Sequence, residues 1–276
     1  MGLEEISQNG VFSIVAIDHR NSLRYLLNEN DPSSVPGRKL EEIKYEFAKT
    51  FLPLSSSILI DPEYGRKCVE LCEKKGKKFI LSLEKSGYRE ENGRVNELIE
   101  GYSQYVEEFK PAALKLLIYY NPTDRSARKQ KELVKRVVKE FSLPIICEIR
   151  TYENEKMKDR KELVLNSVSE ISKLGPDVMK VEIPGEISRE NFETLNKNCR
   201  APWILLSAGM PYENFKKAFE IAADCGCSGF AVGRALWQDS IKNGELNKDF
   251  LRRVCVNRLK ELRRIAERCT PYFLKF

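Results

Sequence analysis

The sequence predicts an α/β fold, a single-domain (β/α)₈ TIM barrel spanning residues 1–276. Three observations carry this. Short apolar runs recur at a regular beat, each followed by a segment of helical periodicity, and strand–helix alternation implies a parallel sheet. Eight such units fit this length, which is the count of the barrel. The runs also lack alternation with polar residues, as strands covered on both faces do. An open doubly wound sheet would compete, but no Gly-x-Gly-x-x-Gly follows the first run, so dinucleotide binding has little support.

The first strand spans Phe12 to Ile17 and ends at Asp18. A Pro- and Ser-containing loop, Asp31 to Gly37, leads into a helix over Lys39 to Phe51. Strand two, Ser57 to Ile60, ends at Asp61 and precedes a helix over Arg66 to Lys75. Strand three, Phe79 to Leu83, runs into Glu84 and Lys85. A helix over Val95 to Phe109 follows, with Gly101 its weak point. Strand four is Ala113 to Tyr119, followed by the turn Asn121-Pro122-Thr123-Asp124 and a helix over Arg125 to Glu140. Strand five is Pro144 to Arg150. The periodic helix Lys158 to Lys173 stops at Gly175-Pro176. Strand six lies in Asp177 to Pro184, and a helix capped by Ser188 runs to Asn198. Strand seven, Trp203 to Leu206, ends in Ser207-Ala208-Gly209, and the next helix opens on Pro211, where proline suits the first turn. Strand eight, Gly229 to Val232, ends in Gly233-Arg234. Helices over Ala235 to Asn243 and Lys248 to Arg268 close the chain.

Composition narrows the function. With 42% hydrophobic and 32% charged residues, the chain reads as a globular protein with a highly charged surface. No apolar run is long enough to span a bilayer. The start, Met-Gly-Leu-Glu-Glu-Ile, lacks the basic and apolar regions of a signal peptide, so a cytoplasmic protein is expected. The net charge of +6 is spread among acids at helical spacing, as in Lys129 to Lys139 and Arg252 to Arg268, which indicates solvated helix faces. Neither nucleic acid nor membrane is an expected partner, whereas a small anionic molecule suits the charge. The eight cysteines form no Cys-x-x-Cys pair and read as reduced thiols. A single histidine excludes any site needing several imidazole ligands, so no metal is expected, and no cofactor motif is present.

In this barrel the active site lies at the C-terminal strand ends. Lys115, Glu148 and Lys180 are unusual because they fall inside apolar runs, where a charge is costly unless paired or neutralised. Alternation puts Val178, Lys180 and Glu182 on one side, as it does Ala113, Lys115 and Leu117, and Ile146, Glu148 and Arg150. If those sides face inward, two amines and a carboxylate converge beside Asp18. A bland reading has Lys180 lying along apolar surface with its head in water, or the whole group acting as a structural ion cluster. The chemical reading is a Schiff-base amine, kept neutral by burial and by the Lys115 ammonium, with Glu148 moving protons. Strands seven and eight add Ser207, Gly209, Gly233 and Arg234, which suit a phosphate through backbone N–H groups and a guanidinium.

These residues resemble the tagatose-1,6-bisphosphate aldolase family, which also includes the sulfofructosephosphate aldolases. The resemblance rests on Ala16-Ile17-Asp18-His19-Arg20, Ser57 to Gly65, Glu84-Lys85-Ser86-Gly87-Tyr88, Lys115 to Tyr120, Glu148-Ile149-Arg150-Thr151-Tyr152, Met179 to Pro184, Leu206-Ser207-Ala208-Gly209 and Gly233-Arg234-Ala235-Leu236-Trp237, in the expected order. It implies a metal-independent class I aldolase, without cofactor, that cleaves a ketose phosphate to dihydroxyacetone phosphate and an aldehyde. By the same match Lys180 is the Schiff-base lysine and Glu148 the proton shuttle. Asp18 and Lys115 hold hydroxyls and tune charge, and Ser207, Gly209, Gly233 and Arg234 hold the phosphate. The chain departs from the family in its shorter length and in His19, where glutamine is usual. A non-catalytic sugar-phosphate sensor and a phosphosugar isomerase using Glu148 as base are the competing readings. The apolar residues of the C-terminal helix could pack on the barrel or on a second subunit, which leaves a homo-oligomer open.

Overall fold

A computed structural model describes residues 2–275. Its centre is a closed parallel barrel of β1 (Phe12–Ala16), β2 (Ser57–Ile60), β3 (Phe79–Ser82), β4 (Ala113–Tyr120), β5 (Ile145–Thr151), β6 (Val178–Val181), β7 (Trp203–Leu206) and β8 (Gly229–Val232). Each strand pairs with its sequence neighbours, and β8 closes on β1 from Phe12↔Gly229 to Val15↔Val232. Gly229 is required at this seam, because a Cβ there would lie 2.0 Å from the Phe12 carbonyl oxygen.

Around the barrel run α1 (Asn21–Leu27), α2 (Gly37–Phe51), α3 (Arg66–Lys74), α4 (Tyr102–Phe109), α5 (Ala127–Glu140), α6 (Arg160–Ile171), α7 (Arg189–Asn198), α8 (Tyr212–Ala223) and the short α9 (Arg234–Trp237). The last helical run joins α10 (Lys248–Phe250) to α11 (Val256–Ala266) through a π-wound turn, Leu251–Cys255. α2 shows why the helices dock: Leu40, Ile43, Phe47 and Phe51 fall on one face at three- and four-residue spacing and are buried against the outward residues of β1 and β2. Burying each phenylalanine there contributes roughly 1.5–3 kcal/mol.

The inward residues form a separate core. Phe12, Ile14, Leu59, Ile80, Ala113, Ile146, Val178, Ile204 and Ala231 fill the lower barrel, and Ile6, from the turn before β1, joins them. Tyr272 packs on Phe12 from below, with ring centres 5.6 Å apart. Polar side chains placed above this plug are shut off from water beneath and meet solvent only at the C-terminal mouth.

The structure differs from the sequence expectation in four places. The helix expected from Val95 begins only at Tyr102, because Gly101 takes a left-handed conformation at φ 71° and ends any helical path through it. Ahead of it, Arg89–Glu90 and Arg94–Val95 form a hairpin around Asn92-Gly93. The helix expected over Ala235 to Asn243 stops at Trp237, and Ile241–Lys242 and Glu245–Leu246 form a second hairpin around Asn243-Gly244. α1 has no counterpart in the expected elements.

Candidate active site

The mouth of the barrel holds a connected set of charges. Lys180 on β6 and Glu148 on β5 sit opposite each other in register, and Lys180 Nζ donates to Glu148 Oε2 at 2.7 Å. Lys115 on β4 faces the same carboxylate at 3.3 Å and donates to Asp18 at 2.7 Å and to Glu84 at 2.6 Å. Both lysines are buried, with 3% exposure for Lys115 and 5% for Lys180. Alternation groups Lys115, Glu148 and Lys180 each with its strand neighbours, and the structure turns those sides inward and gathers the three with Asp18.

Charge balance sets the protonation states. Burial alone would strip the Lys115 ammonium of its proton, but Asp18, Glu84 and Glu148 outweigh it and hold the group well above the ordinary lysine range. Burial would raise the Glu148 carboxyl, yet the Lys180 and Lys115 ammoniums pull it down to about 2. Asp18 is held well below the usual carboxylate range for the same reason: Lys115 and Lys180 overcome its burial. His19 behaves oppositely. Burial, with Arg234, Lys180 and Lys44 nearby, outweighs Asp18 and brings the imidazole down to about 3, so it is neutral. Its ring lies edge-on to Trp237, with centres 5.1 Å apart.

Glu84 is the principal residue the sequence argument left out of the site. It stands just past β3, and besides Lys115 it accepts from the Leu117 backbone N–H at 3.0 Å. Arg20 donates to its carbonyl oxygen at 2.6 Å and to Glu63 at 2.5 Å. Glu84 could have been found from its position after an apolar strand, but its strand-end neighbours Lys85 and Asp61 share that signal without the role. Lys85 is half exposed, 3.8 Å from Glu97, while Asp61 is turned outward and paired with the buried Lys44 of α2. Glu182 lies beyond the end of β6 and does not join Lys180: it accepts from the Thr151 backbone N–H and hydroxyl at 2.7 and 2.8 Å.

The residues expected from sequence to hold a phosphate form an adjoining cleft. Ser207, Gly209, Gly233 and Arg234 line it together with Glu148 and Lys180. Close packing explains both glycines. A Cβ on Gly209, whose φ is 79°, would meet the Arg234 guanidinium carbon at 2.7 Å, and one on Gly233 would meet the His19 ring at 2.4 Å. The main cavity beside it, about 310 Å³, is lined by Asp18, Lys115, Glu148 and Lys180 and also by Arg150 and Arg234. Among the described residues no group of His, Cys, Asp and Glu has the arrangement of a metal site.

A barrel with a buried lysine–carboxylate set at its C-terminal mouth and a basic cleft beside it defines the class: a TIM-barrel enzyme with its site at the C-terminal strand ends. The sequence profile of the DeoC/LacD family aldolases matches residues 12–239. The chain belongs to this aldolase family and is a lyase. Tagatose 1,6-diphosphate aldolase 2 of Streptococcus agalactiae serotype III (strain NEM316) is 26% identical over 96% of this chain and 94% of its own length. The tagatose 1,6-diphosphate aldolase of Lactococcus lactis subsp. lactis is 28% identical over 95% of this chain and 93% of that protein. A Schiff-base-forming fructose-1,6-bisphosphate aldolase superposes with a TM-score of 0.67 at 19% identity, covering 96% of this chain and 98% of that one. An archaeal fructose 1,6-bisphosphate aldolase gives 0.66 at 20% identity, over 96% and 97% of the two chains. At these identities the two structures bear on the fold.

Proposed function

We propose that the chain is a class I aldolase that cleaves a ketose 1-phosphate through a Schiff base on Lys180, releasing dihydroxyacetone phosphate and an aldehyde. The observation that carries this is the 2.7 Å contact between Lys180 Nζ and Glu148 Oε2 at the mouth of the barrel, next to a cleft that suits a phosphate. The tagatose 1,6-diphosphate aldolase relatives support the same substrate class.

The contact supplies a route for the proton. Lys180 passes one to Glu148, and its freed lone pair attacks the ketose carbonyl carbon. As that ammonium disappears, Glu148 loses one of the two cations that hold its acidity, so its proton affinity rises at the moment it must hold a proton. It returns the proton to the carbinolamine hydroxyl, which leaves as water. The iminium then accepts the electron pair of the bond between the carbons once and twice removed from it. Glu148, again a carboxylate, takes the proton of the hydroxyl that becomes the aldehyde. Protonation of the enamine carbon and attack by water release dihydroxyacetone phosphate. Lys115, a lasting cation held by Asp18 and Glu84, stabilises negative charge on the substrate oxygens throughout.

The test is reduction with borohydride in the presence of dihydroxyacetone phosphate. An adduct mapped to Lys180, absent in Lys180→Ala, is expected; an adduct on another lysine would overturn the assignment. Cleavage rates on tagatose 1,6-bisphosphate, fructose 1,6-bisphosphate and 6-deoxy-6-sulfofructose 1-phosphate then identify the substrate.

A further inference from the structure

The cleft that suits the phosphate carries a second guanidinium. Arg150 stands on β5 in the layer above Glu148 and lines the same cleft as Arg234, Ser207 and Gly209. Its Nε lies 2.9 Å from Glu182 Oε1. Glu182 is itself immobilised, by the backbone and hydroxyl of Thr151 on one oxygen and by Arg160, also at 2.9 Å, on the other. The Arg150–Glu182 contact is an ion pair without hydrogen-bond alignment, so among the described residues no nitrogen of the Arg150 guanidinium has a hydrogen-bond partner.

Arg234 is equally underused. Among the described residues it has no carboxylate partner, its Nε is buried without a hydrogen bond, and it makes a single long contact, 3.5 Å, with the Ala208 carbonyl. The two guanidiniums line the same cleft, and burial and the charge of Arg150 both disfavour the cationic form of Arg234. Glu148 is the one acid in the lining, and its charge is already matched by Lys180 and Lys115. Arg234 therefore stands over the cleft with no carboxylate paired to it among the described residues, and Arg150 shares its one carboxylate, Glu182, with Arg160.

We propose that Arg150 is a second anion-binding residue of this cleft, positioned by Glu182, and that with Arg234 it clamps the carbonyl-proximal phosphate of the substrate as a dianion. The inference rests on the aldolase reading and deepens it. A phosphate monoester carries close to two charges at neutral pH and offers several acceptor oxygens, matching two forks of donors. A sulfonate carries one charge and is the poorer fit, so in a sulfonated substrate it belongs at the opposite, aldehyde end.

The experiment compares borohydride trapping by dihydroxyacetone phosphate with trapping by dihydroxyacetone, and takes the ratio of their half-saturating concentrations as the advantage due to phosphate. Arg150→Met is expected to shrink that advantage roughly 10- to 100-fold, the worth of a hydrogen bond to a charged group. Arg150→Lys and Glu182→Gln should shrink it less. In the native enzyme the advantage should grow as pH rises through about 6, where the phosphate takes its second charge, and this growth should be smaller in Arg150→Met, which keeps only Arg234. An unchanged advantage in both Arg150 variants would overturn the proposal while leaving the Lys180 adduct, and so the aldolase reading, in place. No adduct on Lys180 of the native enzyme with either compound would instead overturn that reading. Because dihydroxyacetone reports on the lysine alone, a variant that fails to fold is recognised by losing both signals, and Arg150→Lys then decides.

Discussion

At the scale of single residues, the site is a balance of buried charges in which each partner sets the state of the next. Glu148 answers to two ammoniums, and Lys115 answers to three carboxylates. Sequence alone casts Lys115 as the ammonium that helps keep Lys180 neutral; the structure pairs Lys115 with Asp18 and Glu84, and Lys180 with Glu148. Replacing that carboxylate by a neutral amide of the same shape removes the proton acceptor and also the negative charge facing Lys180 and Lys115. Glu148→Gln is therefore expected to lower the rate of cleavage by about 10²- to 10⁴-fold, the usual worth of a general acid–base, with phosphate-ligand affinity changed far less. Steady-state kinetics on the best substrate of the panel would check this; a rate within a few-fold of native would remove Glu148 from proton transfer.

At the scale of elements, the barrel depends on a few pairings that sequence periodicity does not reveal. Lys44 lies on the apolar face of α2, fully buried, and reaches Asp61 at the end of β2. Asp61 also accepts from the Tyr64 backbone N–H at 2.8 Å, which shapes the turn before α3. Removing one charge strands the other, so Lys44→Ala is expected to cost about 3–5 kcal/mol. Lys44→Met combined with Asp61→Asn, which keeps the turn, should recover much of that. Urea unfolding of the single and double variants checks it, and a single variant as stable as native would show that the pair adds nothing. The two hairpins teach a different lesson. Asn92-Gly93 and Asn243-Gly244 carry a strong short-range turn signal, with both residues of each pair at positive φ. They were legible, but strands of two residues offer no periodicity to accompany the turn, so the apolar pattern around them reads as helix.

At the scale of the whole molecule, stability depends on pH through the chain's single histidine. His19 is neutral in the fold down to about pH 3, whereas an unfolded histidine binds a proton near 6.5. Between those values the unfolded chain holds the extra proton, so stability is lost as pH falls from about 6.5 toward 3. The slope from one such group is at most ~1.4 kcal/mol per pH unit. His19→Gln, which cannot titrate, should flatten the fall in stability between pH 6.5 and 4.5 while lowering stability at pH 7 slightly through lost contact with Trp237. Denaturation midpoints at the two pH values check it: equal slopes in variant and native protein would rule it out.

The sequence by itself determined the barrel, its eight strands and their order, and which strand neighbours share a side with Lys115, Glu148 and Lys180. Those follow from local rules: the apolar beat marks strands, helical spacing marks the crossovers, and a period of two assigns faces. Only the tertiary structure decided which charge answers which. Glu84 and Asp61 both follow an apolar strand, yet one reaches Lys115 inside the barrel and the other turns outward to Lys44. Arg150 and Arg234 lie 84 positions apart and line one cleft because the barrel closes. Charge pairing is set by distances across the sheet and by burial from every side, and neither quantity is carried by any stretch of sequence short enough to read alone.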